Sequence, residues 1–135
     1  MTPQDHMVTS NDIYWLAGLL EGEGSFQWSG TGRSLCVVLG MNDKDVVERA
    51  SIVMAGSLPR DYTATRTGNR HWRTAVYGAR AASVMMTLYT LLGVRRRAKI
   101  RALLAEWKTR PGIHGHRKRV WRARNDTGRF ISRLC

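Results

Sequence analysis

The run Leu16-Ala17-Gly18-Leu19-Leu20-Glu21-Gly22-Glu23-Gly24 sets two carboxylates among three glycines at the end of a short helical stretch. Acidic side chains at a helix C-terminus meet the negative end of the macrodipole and are ordinarily avoided there. A divalent cation would offset both the dipole and the carboxylates. The rest of the chain is strongly basic: 22 Lys and Arg against 10 Asp and Glu give a formal net charge of +12 over 135 residues. A hard cation held by carboxylates on a basic protein is the combination that phosphodiester hydrolysis requires.

The spacing of the small residues adds a second expectation. Gly18 and Gly22 lie four apart on one helix face with Ala17 beside them, which lets two helix backbones approach closely. Without that use, each glycine destabilises the helix by roughly 1 kcal/mol relative to Ala. One chain carries one such helix, so the natural partner is a second copy related by a twofold axis. Ala17, Gly18, Glu21 and Gly22 would then face the partner, and Glu23 of each chain would fall near the axis. Two carboxylates so placed repel unless cations lie between them.

The elements that must position these residues can be read from capping and periodicity. Thr9 or Ser10 caps a helix to about Gly22, with Asp12 three residues after Thr9, and Gly24 suits a left-handed C-terminal position. Ser25 to Ser29 alternates polar and aromatic as a strand with one wet face. Ser34 to Met41 is a nearly continuous apolar run, expected as a central strand. Asn42 or Asp43 caps a second helix, from Asp45 to about Met54, ended by Pro59. Tyr62 to Thr67 and His71 to Tyr77 form a hairpin across Gly68-Asn69. A third helix runs from about Ala79 to Leu92 with Ala82, Met85, Met86, Leu88 and Tyr89 as its apolar stripe. Gly93 breaks it, and a last helix follows to about Lys108. The order is αββαββα plus one further helix, an α+β fold. The expected organisation is an arm at 1–9, a core domain at 10–110 and a basic extension at 111–135.

Composition bounds the function. A hydrophobic content of 43% argues for a packed core. No run of 18 apolar residues occurs, and the first ten residues lack the pattern of a signal peptide. Cys36 and Cys135 are too few for a disulfide framework or a Cys-based zinc site, which suits a reducing, intracellular setting. The histidines (His6, His71, His114 and His116) lack partners at ligand spacing, so no zinc site is expected. A polyanion is the expected partner, nucleic acid rather than a membrane surface, with no small-molecule cofactor.

LAGLLEGEG resembles the signature of the LAGLIDADG homing endonucleases, with Leu20 for Ile, Glu21 and Glu23 for the two Asp, and Gly22 for Ala. The resemblance extends over about Ile13 to Lys108 through the element order, the Asn42-Asp43 cap and the basic stretch after the third helix. It implies a homodimeric, magnesium-dependent endonuclease that cuts double-stranded DNA at a long, partly palindromic site, with Mn2+ or Ca2+ as alternative occupants of the metal site. On this resemblance Glu23 ligates the cation together with the carbonyl of Gly22. Asp43 matches a polar position that orients water, besides its plain reading as an N-cap. Arg95 matches the basic residue that completes the site, with Arg96, Arg97 and Lys99 as neighbours that could take its place.

The family also lays an antiparallel sheet in the DNA major groove. On that reading Ser25, Gln27 and Ser29 meet base edges, and Arg33, Arg66, Arg70 and Arg73 read guanine or hold phosphate. Arg97 and Lys99 join them from the last helix. In the extension, Arg117, Lys118, Arg119, Arg122, Arg124 and Arg129 with Trp121 read as an electrostatic clamp on the backbone or a minor-groove element. A second reading keeps the fold without cleavage, as in intron maturases that assist RNA splicing and in DNA-binding regulators. A third is a general basic RNA-binding protein.

Overall fold

Thr9 closes a full capping box with Asp12: the Thr9 hydroxyl accepts the Asp12 N–H and the Asp12 carboxylate accepts the Thr9 N–H at 2.9 Å. Helix α1, Ser10–Glu23, grows from that cap. The computed structural model describes residues 7–30, 32, 34–62, 68 and 70–110, together with the backbone of 123–124 and 130–131. Strand β1, Gly24–Trp28, follows α1 without a linking residue, and β2 spans Leu35–Met41. Helix α2 is Lys44–Met54, β3 is Arg60–Asp61, and β4 is Trp72–Tyr77. Helix α3, Gly78–Leu88, runs through a 3₁₀ turn at Tyr89–Leu91 into α4, Val94–Thr109. A small pair, β5 at Ala123–Arg124 and β6 at Phe130–Ile131, lies in the extension.

Strands β1 to β4 form one antiparallel sheet in the order β1-β2-β4-β3. The apolar β2 is central, as its composition predicts. All four helices pack on one face of this sheet. The core gathers Leu16 and Leu20 from α1, Ala50 and Met54 from α2, Met85 and Leu88 from α3, and Ile100 and Leu103 from α4. The sheet contributes Phe26, Leu35, Val37, Leu39 and Val76. Full burial of each large side chain stabilises the fold by roughly 1.5–3 kcal/mol. The fold is α+β, as expected.

Several local expectations are corrected. Gly24 is extended (φ −79°, ψ 156°), not left-handed, because the chain passes straight from helix to strand. Glycine is needed there for closeness: a Cβ would stand 2.8 Å from the Leu20 carbonyl oxygen. Helix α2 stops at Ala55, which takes the left-handed conformation (φ 51°), four residues before Pro59. Strand β3 lies at Arg60–Asp61 rather than from Tyr62, since Arg60 pairs with Arg73 and Asp61 with Trp72. Residues 63–67 and 69, which make up most of the first strand and part of the turn of the expected hairpin, lie outside the described residues. Met86 is exposed, 58%, since Ala81 rather than Met86 joins Ala82, Met85 and Leu88 on the buried stripe of α3.

Candidate nucleic-acid interface and cation site

Strand register decides which side chains are free to meet a ligand. Residues directly opposite in an antiparallel ladder share a face. Ser25 pairs with Val38 and Val38 with Ala75; Gln27 pairs with Cys36 and Cys36 with Tyr77; Gly40 pairs with Arg73 and Arg73 with Arg60. These rows alternate with the core-facing Phe26, Val37 and Val76, so they lie on the face opposite the helices. Arg73, whose parity the mixed sequence of β4 leaves open, belongs to this face. So do Ser25 and Gln27, as expected.

The face is lined but not sealed. Cys36, Val38 and Ala75 form a small buried apolar cluster of their own. Burial pushes the Cys36 thiol up, and the nearby Arg73 charge works against that. Beside the cluster opens a concavity of about 320 Å³, walled by Glu23, Ser25 and Gln27 from one side and Tyr62, His71 and Arg73 from the other. Gly40 forms part of its floor, and the His71 imidazole occupies the space where a Gly40 Cβ would stand. A second concavity of about 180 Å³ adjoins it, lined by Arg60, Arg73, Tyr62 and Tyr77 among others. Arg73 stands 5.6 Å from the Tyr62 ring centroid. Two arginines opposite one another repel and favour an anion between them.

Glu23 is the last residue of α1 and is exposed. Gly24 pairs with Leu39, so Glu23 lies at the edge of the sheet where β2 ends and β4 begins. Asp43 follows β2 at that same edge; it is exposed and its side chain makes no cap bond to α2, leaving the carboxylate free of that duty.

The negative end of α1 is met by a cation from within the chain. Arg96 donates through Nε and Nη2 to the Glu21 carbonyl at 3.3 and 3.1 Å, and through Nη1 to the Gly24 carbonyl at 2.7 Å. The Glu21 carboxylate accepts the Gly93 N–H at 3.0 Å. Glu21 therefore ties α1 to the start of α4 inside one chain. Arg95 is exposed in the first turn of α4, beside Arg96; Lys99 is exposed and Arg97 half-buried.

On the outer face of α1, Gly18 and Gly22 are exposed, and a Cβ on either would meet nothing within 4 Å. The described residues give no steric reason for either glycine. Ala17 departs from its expected place beside them: it is 3% exposed and packed in the chain's own core, so its surface is already spent.

Ser29 leaves the strand and closes the β1–β2 turn. Its N–H donates to the Ser34 carbonyl at 2.7 Å and its hydroxyl accepts the Ser34 N–H at 3.3 Å. Arg70 is exposed just before β4. Arg33, Arg66, Arg117, Lys118 and Arg119 lie outside the described residues. Tyr62, His71, Arg60 and Tyr77 also line these concavities, beyond the residues the sequence singles out for DNA contact. Alternation from Arg73 would have found His71 and Tyr77, two and four positions away; Arg60 and Tyr62 depend on a pairing no local signal marks.

A cation bound by Glu23 and the Gly22 carbonyl would meet only hard oxygen donors, which suits Mg2+, an ion that keeps several waters and takes substrate phosphate oxygens. No cluster of three or more His, Cys, Asp or Glu side chains able to hold a metal occurs among the described residues. The donor set therefore fits an open site completed by phosphate, not a closed structural one. None of the described helices is long and apolar enough to cross a membrane.

No family model matches the chain, and no curated protein does. Among solved structures it is similar to the homing endonuclease I-CvuI in complex with the I-CreI target in 2 mM Mg, the DNA not cleaved. The identity is 14%, the TM-score 0.54, and the match covers 72% of this chain and 68% of that one. I-CvuI in complex with its own target in 2 mM Ca matches over the same shares with 14% identity and a TM-score of 0.55. What the chain shares with these proteins is the fold; in this chain the described helices lie on one side of a four-stranded antiparallel sheet.

Proposed function

We propose that the protein is a site-specific, divalent-metal-dependent DNA endonuclease acting as a homodimer. One observation carries the reading: Glu23, set by α1 at the sheet edge, shares a single concavity with Ser25, Gln27, His71 and Arg73 on the face that the helices leave open. A B-DNA major groove admits an antiparallel ribbon such as the β1–β2 pair. The likeness in fold to an endonuclease solved on its DNA target supports the reading, as does the net charge of +12.

Glu23 and the Gly22 carbonyl would hold the cation. When bound, it supplies Lewis-acid polarisation of the phosphodiester and acidifies water. Asp43 orients that water through its free carboxylate. Arg95 neutralises charge developing on the scissile phosphate; as a guanidinium it does not carry protons. Ser25, Gln27 and Arg73 meet base edges, and Arg60, Arg70 and His71 flank them. Two copies meet along the Gly18–Gly22 face of α1, and each reads one half-site.

The test is incubation of purified protein with a randomised plasmid library and Mg2+, followed by sequencing of the cut ends. Recurrent staggered cuts within one near-palindromic sequence are expected; scattered or absent cuts reject the proposal. A non-catalytic DNA-binding protein of the same fold is the second reading. Arg60 and Arg73, opposite one another on the strand face, would serve such binding without any cation. Specific binding without cleavage would select it.

A further inference from the structure

Arg96 sits one residue past the basic position assigned to the reaction, yet it reaches back to α1. The two carbonyls it takes, those of Glu21 and Gly24, bracket Gly22 and Glu23. One planar group thus pins the backbone on both sides of the carboxylate and the carbonyl that would hold the cation. The side chain is half-buried, with its guanidinium 5.9 Å from the Phe26 ring centroid, so its course is set by the protein interior. A second tie returns the hold: Glu21 accepts from Gly93, at the N-terminus of the helix that carries Arg96.

Capping the dipole does not require this arrangement, since any cation in or near the last turn offsets it. Spanning two carbonyls with a fixed fork is what arginine does and lysine does not. A permanent positive charge beside a cation site also weakens cation binding by repulsion. What Arg96 contributes there is therefore geometry.

Building on the endonuclease reading, we infer that Arg96 is the positioning residue of the cation site: it fixes the Gly22–Glu23 backbone so that carboxylate and carbonyl converge on one ion, and it registers Arg95 against them. The test measures Mn2+ binding by electron paramagnetic resonance on the full chain bound to a duplex selected from random DNA by retention in Ca2+, a selection that needs no cleavage. Arg96→Lys keeps the charge and loses the fork. It is expected to weaken Mn2+ binding 10- to 100-fold, the range for partners that orient metal ligands. DNA affinity in chelator should stay within about threefold of wild type, because Arg96 meets β1 on the core side, near Phe26, and not on the face that carries Ser25, Gln27 and Arg73. Unchanged or tighter Mn2+ binding in folded Arg96→Lys overturns the inference. Should that variant not fold, Arg96→Gln, which reaches one carbonyl at most, is expected to weaken Mn2+ binding even though it also removes a repulsive charge; unchanged or tighter binding there would show that Arg96 acts on the ion chiefly as a charge and overturn the inference. Glu23→Gln separates the two levels. Mn2+ binding that survives Glu23→Gln overturns the metal assignment itself; binding lost there but intact in the Arg96 variants overturns only the role of Arg96.

Discussion

The indole N–H of Trp28 donates to the Glu106 carboxylate at 3.0 Å, joining the far end of β1 to the last turns of α4. Arg110 completes the cluster: it pairs with Glu106 at 2.5 Å, donates to the Gly32 carbonyl at 2.5 Å and lies 3.6 Å over the Trp28 ring. The Arg110 hydrogen bond first, and the Trp28 bond second, hold the Glu106 carboxyl below the usual carboxylate range.

A carboxylate depressed in the folded state stabilises the fold above its unfolded pKa, near 4.3, and that contribution disappears as pH falls through the folded value. Glu106→Gln should therefore lower the melting temperature at pH 7 and converge on wild type in strong acid. Thermal melts between pH 2 and pH 7 check this. Parallel curves would remove Glu106 from the account.

Gly18→Leu tests the helix face. The chain has open space at that position, so the monomer fold should tolerate the side chain, and the lost glycine should favour the helix by up to about 1 kcal/mol. On the homodimer proposal the same change drives the protein to a monomer, read by sedimentation, and abolishes paired-strand cutting. A Gly18→Leu protein that keeps the mass of a dimer argues that α1 is not the contact.

Glu23→Gln preserves shape and removes charge. Cleavage should fall to background while affinity for the selected duplex in chelator stays within a few-fold. Chelation should likewise silence the wild-type protein, with Mg2+ or Mn2+ restoring it. Cleavage by Glu23→Gln at the wild-type rate would move the chemistry elsewhere.

Arg73→Gln should cost specific binding about 1–3 kcal/mol, and random-sequence DNA far less, if Arg73 reads a base edge. Competition between the selected and scrambled duplexes at one salt concentration measures it. Equal losses on both, with a shallower salt dependence, would reassign Arg73 to phosphate.

Local chemistry made much of the fold legible. The Thr9–Asp12 capping box, the apolar run of β2 and the stripe through Ala82, Met85 and Leu88 each follow from contacts within a turn or from burial on both faces. Glu23, Ser25 and Gln27 could be grouped because they are neighbours in sequence. Arg96 and His71 could not be assigned, since each acquires its place from a partner far along the chain: Glu21 lies 75 residues before Arg96, and the Gly40 site that His71 fills lies on another strand. Arg73 was ambiguous because β4 has apolar residues on both faces. Its open face carries the Ala75 patch as well as the polar side chains, so alternation could not separate the two.

Gly24 lets helix pass into strand with no intervening loop. In a nuclease built this way, the group that cuts and the side chains that read are stations along one stiff lever. Reprogramming Ser25 or Gln27 would then change which letters are recognised while leaving the offset between message and scissors untouched.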